Sequence, residues 1–215
     1  MFINNKKVMD ALLHLEKLKY NLLLNYQRDL TMDNRLSDTA KMHKEPLIIH
    51  GYPVFSYALA GTLPLNNTTD HDLKQEVRGY IEWCIGRMYD NKSKYLPFHK
   101  AKVFIQHFYE NDIIQDLDNR NHKYIVDALR LAQIIEDDSW QHLSLDVSGY
   151  KDNFSHVQVY VVEDENELDF AGYLKSHTHK LKDEPTAFKG YLEKYKEGST
   201  DNRVEYPLVE ERFFW

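Results

Sequence analysis

The chain has 215 residues, 42% of them apolar, with 15 Tyr and 10 Phe, which fits one domain with embellishments or one core of about 120 residues with flanking elements and argues against disorder. A single cysteine, Cys84, rules out an intramolecular disulfide and points to a reducing compartment. Lys and Arg number 27 against 34 Asp and Glu, a balance that counts against tight, unassisted DNA binding without excluding it.

From residue 5 to residue 28, Val8, Leu12, Leu15, Leu18, Leu22 and Leu23 recur at helical spacing between lysines, predicting an amphipathic helix. Thr31 to Glu45 is polar and irregular and reads as a loop. Leu47 to Leu63 turns β-rich, with Gly51, Pro53 and Gly61 as punctuation, and predicts a strand or a bent pair of strands. The cap-forming Asn66-Asn67-Thr68-Thr69-Asp70 precedes a second helix carrying Leu73, Val77, Tyr80, Ile81, Cys84, Ile85 and Met88. Lys102 to Glu110 reads as a strand. A helix over about 119–133 follows, with Ile125, Ala128, Leu129 and Ala132 on its apolar face and Arg120, Lys123, Asp127 and Arg130 opposite. Trp140 to Val147 and His156 to Val162, joined across Gly149-Tyr150-Lys151-Asp152-Asn153, predict a β-hairpin. The tail holds a short helix near 165–175, a basic patch from His177 to Lys182, a helix from Pro185 to Lys196, and an apolar end, Phe213-Phe214-Trp215, expected to dock on the domain or a second copy. No apolar run is long enough to cross a membrane. The opening Met1-Phe2-Ile3-Asn4-Asn5-Lys6-Lys7 holds no signal-type stretch, so a cytoplasmic protein is expected.

The chemistry concentrates around the helix at 119–133. Asp116 and Asp118 stand before it, and Asp137 and Asp138 stand after it. In an extended segment side chains two residues apart share a side, so Asp116 and Asp118 can converge on one cation. A helix amino terminus favours the ionised form. Carboxylate oxygens are hard donors suited to Mg²⁺ or Mn²⁺, ions that serve phosphodiester hydrolysis. A calcium loop does not fit, because Asn121 stands where its glycine belongs and Asp127 where its glutamate belongs. Each acidic pair alone also reads as a helix cap or a solvated turn. A helix of about 15 residues spans roughly 22 Å. The front and rear acids would then meet only across a two-fold dimer, with the helix antiparallel to its mate. Candidate phosphate contacts are Lys100, Lys102, Arg120, Lys123, Lys180 and Lys182. His177 and His179, without cysteines beside them, are a weak zinc signal.

Asp116-Leu117-Asp118-Asn119, then Lys123 with Asp127-Ala128-Leu129, then Ile134-Ile135 and Asp137-Asp138-Ser139, resembles the RusA family of Holliday-junction resolvases from about Leu47 to Glu163. The resemblance implies an α+β fold, a small mixed sheet with two packed helices, over residues 47–163. Residues 1–46 would be an N-terminal helical extension and 164–215 a C-terminal one. It implies a homodimer that binds branched DNA and an Mg²⁺-dependent endodeoxyribonuclease of DNA recombination and repair. It assigns catalysis to Asp116, Asp118, Asp138 and Lys123, with Asp137 joining the three aspartates as a metal ligand. A non-catalytic DNA- or protein-binding module on the same fold is the alternative. The chain departs from the family in one place. Arg120-Asn121-His122 put one extra residue before Lys123, a rotation of about 100° on an ideal helix.

Overall fold

The computed structural model describes residues 5–32, 44–86, 88–89, 95, 97–110, 116–183 and 185. The expected helix past Pro185 and the Phe213-Phe214-Trp215 end lie outside them. The elements run α1 (Asn5–Met32), β1 (Leu47–Ile49), β2 (Tyr52–Ala60), α2 (His71–Gly86), β3 (Ala101–Tyr109), α3 (Lys123–Leu131), β4 (Leu143–Lys151), β5 (His156–Glu163) and α4 (Glu167–Leu181), the last entered through a 3₁₀ turn, Asp164–Asn166. The fold is α+β, as the sequence led one to expect.

One five-stranded mixed sheet is ordered β1-β2-β5-β3-β4. β1 and β2 form a hairpin across His50 and Gly51, both at positive φ, the two-residue turn whose twist matches the strands. β3 is the central rib, buried from Ala101 to Phe108, because helices cover both faces of the sheet around it. It pairs antiparallel with β5 and parallel with β4. Parallel neighbours need a crossover, and α3 supplies it.

The expected β4–β5 hairpin is therefore absent. The two strands flank β3 on opposite sides, and the turn between them wraps the end of β3, where Asp152 N–H donates to the Tyr109 carbonyl at 2.9 Å. Buried alternation in two successive strands fixes their faces but not their neighbours.

α1, α2 and α3 cover one face of the sheet, packing Tyr20, Leu73, Val77, Ile81, Ile125 and Leu129 against β2, β3 and β5. α4 covers the other with Phe170 and Leu174. α1 thus contributes to the main core: Tyr20 is buried there and its hydroxyl donates to the Thr62 carbonyl. The face of α1 that packs carries Leu13, Tyr20, Leu23 and Leu24, whereas Val8, Leu12, Leu15, Leu18 and Leu22 are exposed. The tail helix also differs from expectation. α4 runs to Leu181 and absorbs the basic patch from His177, with non-helical backbone at His177 itself.

Candidate functional site

Asp116 to His122 is a turn laid against the connection between β2 and α2. The Asn66 amide donates to the Asn119 carbonyl (2.7 Å), its side chain donates to the Asp118 carbonyl (2.9 Å), and the Asn121 amide donates to the Pro64 carbonyl (2.8 Å). Arg120 locks the turn from beneath, donating to the Leu63 carbonyl at 2.7 Å. Leu117 packs over Gly149 of β4. With its main chain held in this way, the turn presents the carboxylates of Asp116 and Asp118 to solvent, the former accepting from Asn119 Nδ2 at 3.4 Å.

α3 begins at Lys123, later than the residue pattern led one to expect, because residues 117–120 close a turn of their own, Arg120 N–H to Leu117 O at 3.2 Å. Two expectations change with it. Asp116 and Asp118 do not stand at the helix terminus, where the backbone dipole acts within about one turn. Arg120 is not on the helix, and only 9% of it is exposed.

The far end of α3 closes in a reversed turn. Ile134 N–H reaches back to Leu129 O (2.9 Å) and Gln133 N–H to Arg130 O (3.0 Å), with Gln133 left-handed at φ 55°, the pattern of a Schellman cap. Ile134 and Ile135 then sink into the core, and the chain doubles back beside Phe98. In consequence Asp138 lies 4.0 Å from both Lys123 Nζ, at the start of α3, and Arg130. With a helix of nine residues and this return, the helix length no longer calls for a dimer to bring the rear acids to the helix start.

The three successive acids of that return have three destinations. Glu136 lies between His99 and His142. Asp137 accepts from the Ser139 hydroxyl and the Asp138 amide, which hold its carboxyl below the usual range. Asp138 faces Lys123 and Arg130. Lys123 is shared, 2.7 Å from Asp127, whose charge also acts on Arg78 of α2.

Behind Lys123 is a buried polar group. His107 of β3 meets His122 at 3.0 Å, Tyr109 stacks on His107, and the Arg120 guanidinium lies beside all three. Burial, reinforced by His122 and Arg120, pushes His107 down to about 3, and burial lowers His122 as well. Both rings are therefore neutral at pH 7. Nothing in the alternation of β3 distinguishes His107 from a core residue; only its place two residues before the strand's end would have marked it.

Most of the expected phosphate contacts have other partners. Lys102 is buried in β3 and paired with Glu167 at 2.6 Å, and Lys100 is paired with Asp164 at 2.7 Å. Lys182 is bound to Asp152 and lies over the Phe108 ring. Arg120 is spent on its own turn. Lys180 is exposed on α4, and Lys123 is exposed beside the acids.

The donor set suits Mg²⁺ chemically, since Asp116, Asp118 and Asp138 offer hard carboxylate oxygens. In the arrangement of one chain, however, no three carboxylates among the described residues come within 4.8 Å of one another. Comparison with protein-family models and with curated proteins finds no match to this chain.

Proposed function

We propose that this chain is a divalent-metal-dependent endonuclease acting on branched DNA, of the RusA type. The observation that carries the reading is the placement of Lys123. It follows Asp118 by five residues in the chain, and its Nζ lies 4.0 Å from Asp138 in space. Asp116, Asp118 and Asp138 are the residues to hold Mg²⁺ or Mn²⁺. An ion held by these residues would supply an activated water and offset the charge that develops on the phosphate. Lys123 and Arg130 supply the positive charge that draws a phosphate to this face. Asp137, turned into its own loop, contributes by fixing the return rather than by ligation. The exposed apolar row of α1, in which Val8, Leu15 and Leu22 recur every seventh residue, is the surface through which two copies pair. A two-fold dimer carries two such sites, one for each strand of a junction.

The spread of the carboxylates and the structural use of Lys102, Arg120 and Lys182 favour a second reading, a module that binds branched DNA without cutting it. Incubating a synthetic four-way junction with Mg²⁺ and either wild type or Asp118→Asn separates the two. Nicking by wild type and binding without nicking by the variant are expected. Junction binding without nicking by both would establish the second reading instead.

A further inference from the structure

We infer that His99, Glu136 and His142 form a binding site for a transition-metal ion of the Zn²⁺ class, separate from the aspartates. One nitrogen of each imidazole and one Glu136 oxygen lie within 4.8 Å of one another, a spacing that a small inward movement of the exposed His99 and Glu136 side chains toward the half-buried His142 converts into shared coordination. The three residues come from two well-separated parts of the chain, yet their backbones are stitched together. Phe98 N–H donates to Ile134 O (3.0 Å), Glu136 N–H to Phe98 O (3.1 Å), and Ala101 N–H to His142 O (2.8 Å). The ligands therefore sit on a fixed frame at the entrance to the β3–β4 pair.

The second observation concerns the tautomer of His142. Its Nδ1 lies 2.8 Å from the His99 carbonyl and 4.0 Å from a Glu136 oxygen. A carbonyl only accepts, so Nδ1 carries the proton, and Nε2, across the ring, carries the lone pair that a metal ion would take once the ring turns. A second carbonyl or carboxylate that fixes the ring in this way is the usual companion of a metal-bound histidine. Two imidazoles and a carboxylate select Zn²⁺ and its neighbours over Mg²⁺, which prefers oxygen donors alone. Three protein ligands leave the next position to water, and the exposure of His99 and Glu136 opens that position to solvent. The site does not depend on the nuclease reading. Glu136 and Asp138 are two residues apart in one turn, but their carboxylates face different partners.

The test uses the full chain freed of metal by a chelator and titrated with Zn²⁺ or Co²⁺. One ion per chain, a Co²⁺ d–d absorption band and a rise in melting temperature on Zn²⁺ addition are expected. His99→Ala leaves the fold intact, since that ring is exposed, and should weaken binding at least about tenfold, as should Glu136→Gln. Asp118→Asn should change neither the band nor the melting shift, so a failed nuclease reading leaves this result standing. Equal Zn²⁺ affinity in wild type and His99→Ala, or no Zn²⁺-dependent melting shift in wild type, would overturn the site.

Discussion

Before α3, Asp116 and Asp118 keep exposed carboxylates on a turn held through its main chain; after α3, Glu136, Asp137 and Asp138 send theirs to three separate partners. Adjacent like charges repel, and where counter-groups are within reach the cheapest arrangement gives each carboxylate its own. In the first turn Asn119 donates to the Asp116 carboxylate while Asn66 donates to the Asp118 main-chain carbonyl, and both carboxylates stay exposed to a ligand. The second is surrounded by His99, His142, Ser139, Lys123 and Arg130, and each acid is claimed. A run of acids in a sequence is therefore a poor guide to a cluster in space. The proposed site joins the two turns, with Lys123 five residues after Asp118 in the chain and 4.0 Å from Asp138.

The comparison breaks most severely at Arg120. Its guanidinium is buried under the first turn, and removing it orphans the Leu63 carbonyl and releases the strand-to-helix connection. Arg120→Met should cost about 3 kcal/mol in chemical denaturation. The solvent-facing Asp118→Asn, in the same turn, should cost under about 0.5 kcal/mol. Similar stabilities for the two variants would show that the turn is not anchored from beneath.

A smaller effect comes from His107. Its folded value, about 3, lies below that of an exposed histidine, so the unfolded chain takes up the proton first. The stability linked to this ring is complete above about pH 6.5 and is lost as pH falls toward 3, by up to about 1.4 kcal/mol per unit. Burial also lowers His122 and His156, which adds to the slope in the same direction. Denaturation midpoints at about pH 7 and about pH 5 should show a flatter dependence in His107→Asn. An unchanged slope would mean that His107 is protonated in the folded protein.

Much of the architecture is written in local pattern. The apolar faces of α2 and α3 and the buried runs of β2, β3 and β5 follow from side-chain periodicity, and the core contains the residues that periodicity selects. Strand order does not follow, because β4 and β5 read as neighbours joined by a turn and only tertiary packing places β3 between them. α3 starts later than its residue pattern predicts because Asn119-Arg120-Asn121 continue the polar spacing while the Arg120 and Asn121 amides donate to Leu117 and Pro64 and the Asn119 carbonyl accepts from Asn66. On α1 the stronger leucine repeat is the exposed one, and the buried face depends on Tyr20, whose ring and hydroxyl both find partners. For the site, the positions of Asp116, Asp118 and Lys123 were legible. The return of Asp138 was not, since it depends on a left-handed Gln133 where glycine would have been the sign. The histidines around Glu136 were invisible for a simpler reason: His99 lies 37 residues away in the chain.

The proposal that the two acidic turns act as one site is tested most directly by a double-mutant cycle on single-turnover cleavage of a four-way junction in Mg²⁺, using Asp118→Asn, Asp138→Asn and the pair. Residues acting as one unit give strongly non-additive losses, so the pair should be about as slow as the worse single variant. Losses that multiply independently, or wild-type cleavage preserved in Asp138→Asn, would contradict the account.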